Sequence, residues 1–201
     1  YLHGNGGNAE QSLRGFLRRH PAIASRYLLV FPQGYLKSWN IVSERSKAND
    51  RAFIEAIVEE VCTHVNAEKG TITIMGVSNG AALVNQLAIE SDLPNVRNYI
   101  TAVSPLNVFQ HDGSNFKAKG DHNNYLKSIT PSPGKRILNV SGTEDRLVPY
   151  AGGPSQGIRA KEGKLAFVNA EKSIFLWAKA MGFLGDQLVQ PSQRTSRYEL
   201  F

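Results

Sequence analysis

Cysteine occurs once in this chain, at Cys62, which excludes an intrachain disulfide and any multi-cysteine metal site. Its neighbours at helical spacing are Ile54, Val58 and Val61, so a buried structural thiol is expected rather than a reactive one. Long apolar runs are also missing. None approaches the roughly 18 residues of a transmembrane helix, and no charged-then-apolar signal segment opens the chain, so membrane insertion is not expected. A basic arm or stripe is absent too: Lys and Arg are spread along the whole length, with only short pairs such as Arg18-Arg19 and Lys135-Arg136. The net charge of +6 is therefore read as that of a basic globular protein without a nucleic-acid partner. Gly4, Gly6 and Gly7 do not make the dinucleotide-binding spacing, and no internal repeat or second domain is visible. Finally, no histidine follows Asp145; His3, His20, His64, His111 and His122 all precede it.

What is present is a domain of ordinary size, 201 residues, with 41% hydrophobic and 20% charged content, enough to bury a core. Its most informative stretch is Ile72-Thr73-Ile74-Met75-Gly76-Val77-Ser78-Asn79-Gly80. Thr71 to Met75 is apolar and β-branched like a buried parallel strand, while Ala81, Ala82, Val84, Leu87 and Ala88 supply the inward face of a following helix. Ser78 thus sits on a strand-to-helix turn of the form Gly-x-Ser-x-Gly, which lifts the serine oxygen above the sheet edge. The next peptide N–H, on Asn79, falls at a helix N-terminus, where it can donate to a developing oxyanion.

Along the rest of the chain, Tyr1 to Asn8 reads as the end of a strand entering a glycine-rich loop, followed by a helix bearing Leu13, Phe16 and Leu17 and closed at His20-Pro21. Tyr27 to Phe31 reads as a compact strand stopped by Pro32, and Gly34 to Asn49 as a polar loop holding Trp39. A helix from Asp50 carries the stripe Phe53, Ile54, Ile57, Val58, Val61 and Val65. Further strands are expected at Tyr99 to Ser104, Arg136 to Ser141 and Arg194 to Phe201, and a helix capped by Asn169 bears Ile174, Phe175, Trp177, Ala178 and Met181. Between them, residues 105–135 are polar and without period, a surface excursion or small cap. The alternation predicts one α/β domain over residues 1–201, a mostly parallel sheet with helices on both faces. His3, Ser78 and Asp145 each follow a predicted strand and should share the carboxyl rim, where such sheets collect their chemistry.

Leu2-His3-Gly4-Asn5-Gly6-Gly7, Gly76-Val77-Ser78-Asn79-Gly80 and the segment from Ser141 to Gly153 with Glu144-Asp145 resemble the oxyanion loop, nucleophile elbow and acid loop of the α/β-hydrolases. More narrowly the chain is similar to the poly(3-hydroxybutyrate) depolymerase and feruloyl esterase group, as are Pro32-Gln33-Gly34, Ser38-Trp39-Asn40 and the segment Asn49 to Ile54. The resemblance implies an α/β-hydrolase fold, incomplete at both ends, and ester hydrolysis through an acyl-enzyme with no metal or cofactor. Ser78 would be the nucleophile and Asp145 the acid, with Glu144 its rival; oxyanion donors would be the backbone of Asn79 and of Asn5 or Gly6. The substrate would be a small-molecule or polymeric ester and the setting secreted or periplasmic.

A serine hydroxyl needs a positioned imidazole, and the imidazole a carboxylate, so the absence of a histidine after Asp145 departs from the order Ser, acid, His of this fold. The expectation is that the chain stops just before the loop that carries it. Two rival readings remain: a non-catalytic binding protein on the same fold, and a serine peptidase or acyltransferase. Trp39 either covers the core or lines the acyl pocket. His111-Asp112 and Asp121-His122 lack a metal-ligand spacing and read as solvated loop, and the sequon Asn139-Val140-Ser141 falls inside a predicted strand.

Overall fold

The computed structural model describes residues 1–186 and 190–200. In chain order the helices are α1 (Ala9–Arg19), α2 (Pro21–Ala24), α3 (Asp50–Thr63), α4 (Asn79–Glu90) and α5 (Ala170–Ala180). The strands are β1 (Ile72–Val77), β2 (Val96–Ala102), β3 (Arg136–Val140), β4 (Gly153–Arg159), β5 (Lys164–Phe167), β6 (Gln193–Arg194) and β7 (Glu199–Leu200). Asparagine starts three of the helices: the side chains of Asn8, Asn49 and Asn169 accept from the peptide N–H three residues on. The fold is mixed α/β, built on a parallel sheet of order β1-β2-β3.

Register decides where the chemistry can sit. Val77 pairs with Ala102, and Ala102 with Val140, so the three parallel strands end level with one another. Leu2 adds a single parallel bridge to Gly76 on the other side of β1. The loops leaving Leu2, β1, β2 and β3 therefore emerge along one carboxyl edge, and those leaving β1 and β3 are two interstrand spacings apart, about 10 Å.

Helix α4 packs on β1 and β2, and every residue from Gly80 to Ile89 is buried. One face of such a helix belongs on the sheet, but Asn85 and Gln86 need polar partners: Asn85 Nδ2 donates to Ser104 O at 3.1 Å and Gln86 Nε2 to Glu90 Oε1 one turn on, and the rest come from residues 105–135 and from α5. Gln110 Nε2 donates to Ala82 O at 2.7 Å and to Gln86 Oε1 at 3.3 Å, Tyr125 Oη donates to Gln86 Oε1 and to Ile41 O, and Trp177 Nε1 donates to Asn85 Oδ1. Residues 105–135 therefore lie over the outer side of α4, burying Leu106, Asn107, Gln110, His111, Phe116, Asn123 and Tyr125. Burial pushes the Tyr125 hydroxyl well above its ordinary pKa. The apolar core runs from Leu2 and Ile74 through Leu83, Leu87 and Tyr99 to Phe116 and Trp177, whose rings lie 4.6 Å apart.

Several sequence expectations need correction. Tyr27 to Phe31 carries no strand ladder among the described residues; its contact with the first strand end is the Tyr1 nitrogen, which donates to Val30 O at 2.8 Å. Arg194 to Leu200 is not one strand: Arg194 ends β6 and Glu199–Leu200 form β7, a tight antiparallel pair folded back where Thr195 Oγ1 accepts from the N–H of Arg197 and of Tyr198; Phe201 lies outside the described residues. The antiparallel pair β4-β5 carries too many glycines and a proline at its start to announce itself as a strand. On α3 two residues of the expected stripe stay off the core: Phe53 is 44% exposed, and Val65 lies beyond the helix end.

At the turn into α4, a Cβ on Gly76 would overlap the carbonyl of Gly80, and one on Gly80 would overlap the carbonyls of Leu2 and His3. Gly76→Ala is therefore expected to destabilise the protein by about 3 kcal/mol or more, while Gly70→Ala, which meets nothing, should stay within about 1 kcal/mol of the parent. Urea denaturation of the two variants checks the contrast.

Candidate active site

Ser78 is the residue between β1 and α4, and it is bent sharply, with φ 54° and ψ −120°. A non-glycine residue there costs about 1–3 kcal/mol and persists only where its surroundings hold it. They do so through the ladder: Ser78 N–H still donates to Ala102 O at 2.9 Å, and its carbonyl already accepts from Ala82 N–H at 3.0 Å. The next strand end repeats the device, with Val103 at φ 50° and its N–H on Val140 O. Ser78 remains partly exposed.

The glycine-rich loop reaches the serine from the neighbouring strand. Leu2 N–H donates to Met75 O at 2.7 Å, Val77 N–H donates to Leu2 O at 3.1 Å, and Gly4 follows so closely that a Cβ there would lie 3.5 Å from Ser78 Cβ. His3, 2% exposed, is the peg of this loop. Its Nε2 accepts from Gly34 N–H and from Gln33 Nε2, each at 3.0 Å, which places the ring proton on Nδ1, 2.7 Å from Gly4 O. The sequence names Asn5 or Gly6 as the loop's donor. Gly6 N–H is committed to Lys37 O at 2.7 Å, whereas Asn5 N–H has no acceptor among the described residues. Asn79, as the first residue of α4, likewise keeps its peptide N–H free of intrahelical bonds.

Trp39 is fully buried, its indole N–H donating to His3 O at 2.8 Å. It lies beneath the loop rather than on an open wall. Its main chain grips Asn79: Trp39 N–H donates to Asn79 Oδ1 at 2.7 Å, and Asn79 Nδ2 donates to Trp39 O and to Glu44 Oε1, each at 3.0 Å. Glu44 and Gln33 are the polar residues here that sequence reasoning missed, since partners 35 and 30 positions away leave no local signal.

Asp145 lies five residues beyond β3 and is partly exposed. One carboxylate oxygen, Oδ1, accepts from the N–H of Leu147 at 2.8 Å and of Val148 at 2.9 Å, which fixes the side chain and leaves Oδ2 to a further donor. A polar hollow opens beside it, lined by Thr143, Glu144, Arg146, Pro149, Pro154 and Gln156. No imidazole bonds Ser78 or Asp145 among the described residues: His3 is buried as above, His111 is buried in the cover over α4 with Nδ1 accepting from Gly113 N–H, and His20, His64 and His122 are exposed. Among the described residues no cluster of three or more His, Cys, Asp or Glu could hold a metal ion, and no helix is long and apolar enough to cross a membrane.

Comparison with curated proteins shows a distant similarity to an esterase. The chain is 24% identical over 193 residues to feruloyl esterase B of Piromyces equi, an alignment covering 94% of this chain and 32% of that protein. The chain thus spans about a third of the length of that relative. No family model matches, and no solved structure matches.

His3→Ala would strand the buried Gly34 N–H and open a void against the Trp39 ring, 5.0 Å away. The expected loss is about 2–4 kcal/mol, against less than about 0.5 kcal/mol for the exposed His64→Ala. Chemical denaturation distinguishes them.

Proposed function

We propose that this chain forms the nucleophile-bearing part of a serine carboxylic-ester hydrolase with an α/β-hydrolase fold, of the feruloyl esterase or polyhydroxybutyrate depolymerase kind. The observation that carries the reading is Ser78 itself, bent to φ 54° at the carboxyl end of a parallel strand, with peptide N–H groups on Asn79 and Asn5 that find no acceptor among the described residues. The distant likeness to an esterase supports the same class of chemistry.

In this mechanism a base takes the Ser78 hydroxyl proton as Oγ attacks the ester carbonyl carbon. The carbonyl oxygen becomes an oxyanion and receives the Asn79 and Asn5 N–H donors, which bind it more strongly than the ground-state carbonyl. The protonated base returns its proton to the departing alcohol, leaving an acyl group on Ser78, and water then repeats the sequence to release the acid. Asp145, with Oδ1 committed to two peptide N–H groups, offers Oδ2 to hold an imidazole in one tautomer. The base is an imidazole that the five histidines present do not supply. This chemistry calls for no metal or cofactor.

A second reading, a binding protein on the same fold, draws on that same lack of an imidazole at Ser78. The two separate in the full-length protein assayed on a short p-nitrophenyl ester. Ser78→Ala is expected to lower turnover by at least about 1,000-fold with little change in thermal stability. Turnover equal to the parent's in Ser78→Ala would overturn the esterase reading, and no turnover in the parent would favour the binding protein.

A further inference from the structure

Asn79 carries two separable functions in one residue. Among the described residues its peptide N–H has no acceptor, while its carboxamide is saturated. Asn79 Oδ1 accepts from Trp39 N–H at 2.7 Å and from Ser38 Oγ at 3.4 Å; Nδ2 donates to Trp39 O and to Glu44 Oε1, each at 3.0 Å. An amide side chain has two donors and two acceptor sites, and all four are used. The carboxamide therefore cannot turn without breaking several bonds, and the peptide plane attached to it is held with it.

Glu44 closes this grip. Its other oxygen, Oε2, accepts from the N–H of Ile41 at 2.9 Å and of Val42 at 2.7 Å, so one carboxylate fixes both the turn that follows Trp39 and the amide that follows Ser78. Charge-assisted bonds of this kind are roughly twice as strong as neutral ones. The same segment is tied at its middle, where Asn40 N–H donates to Asp50 Oδ2, Asn40 O accepts from Lys119 Nζ, and Asn40 Oδ1 accepts from Asn123 Nδ2. At its other end Trp39 Nε1 holds His3 O, two residues before Asn5. Residues 38–44 thus form a bracket that touches both candidate oxyanion arms, and Glu44 is its one carboxylate on Asn79.

We propose that Glu44 is a positioning residue for the oxyanion site, aiming the Asn79 peptide N–H through the Asn79 carboxamide. The inference rests on the esterase reading above. Donors of this sort stabilise the transition state only when aimed at where the oxyanion forms, so a small rotation lowers kcat without weakening ground-state binding of the ester.

The test uses the full-length protein, a p-nitrophenyl ester, and phenylboronic acid as a tetrahedral mimic whose oxygen occupies the oxyanion position. Glu44→Ala is expected to lower kcat by about 10- to 100-fold with KM within about twofold, and to raise the Kd of phenylboronic acid in proportion to the loss in kcat/KM. Glu44→Gln, which keeps the volume and one acceptor oxygen, should fall between Glu44→Ala and the parent, and it decides the question by the same readings if Glu44→Ala does not fold. In an Asn79→Ala background, Glu44→Ala should cost little more, because both act through one bond. Unchanged kcat in Glu44→Ala, a fall in kcat without loss of boronate affinity, or equal losses in both backgrounds would overturn the proposal. Parent-like turnover in Ser78→Ala would instead remove the esterase reading beneath it, whereas an inactive Ser78→Ala beside an unimpaired Glu44→Ala rejects Glu44's role alone.

Discussion

The site depends on one close backbone crossing. Gly76 on β1 faces Gly80 on α4, and Gly80 in turn lies against the carbonyls of Leu2 and His3, with no room for a Cβ at either glycine. That contact forces the chain to leave β1 and enter α4 within a single residue, Ser78, and to accept a left-handed φ there. It also brings the Leu2 strand end so near that the following glycine-rich loop passes over the serine. Strain at Ser78 and closeness of the Asn5 loop are two consequences of the same packing.

Around the crossing, polar groups rather than apolar bulk set the finer geometry. His3 pegs one arm, Asn79 and Glu44 hold the other, and Trp39 joins them. Beneath lies a partly buried charged group in which Asp50 and Lys119 both serve Asn40. Burial raises the Asp50 carboxyl and lowers the Lys119 ammonium, and each is drawn back by the other's charge, the carboxyl also by the Asn40 N–H. Such a network is worth keeping only if every member is satisfied, since one unpaired buried group costs about 1–3 kcal/mol. Lys119, Asn123 and Tyr125 come from residues 105–135, so the cover over α4 and the bracket beside Ser78 are one polar assembly.

What could be read from the sequence was local. The run from Ile72 to Gly80 has a β-branched stretch, two glycines and an apolar helix face in succession, and the strand, turn and helix appear where that reading puts them. Helix starts at Asp50 and after Asn169 were legible from apolar spacing and a capping side chain. The bracket was not, because Glu44 meets Asn79 and Lys119 meets Asn40 only after the chain has folded back, and no period records such a pairing. Residues 105–135 looked solvated because their buried polar side chains satisfy one another and α4. Gly6 and Asn5 are equivalent donors by sequence alone; the difference lies in a tertiary bond, Gly6 N–H to Lys37 O.

The central claim is that the bend at Ser78 presents an activated nucleophile. Treating the full-length protein with a fluorophosphonate and locating the adduct by mass spectrometry tests it directly, because the Oγ of a serine activated by a neighbouring base attacks the phosphorus, forming an O–P bond as fluoride leaves. The account predicts a stoichiometric adduct on the peptide containing Ser78. An unlabelled protein, or an adduct on another serine such as Ser38 or Ser104, would contradict it.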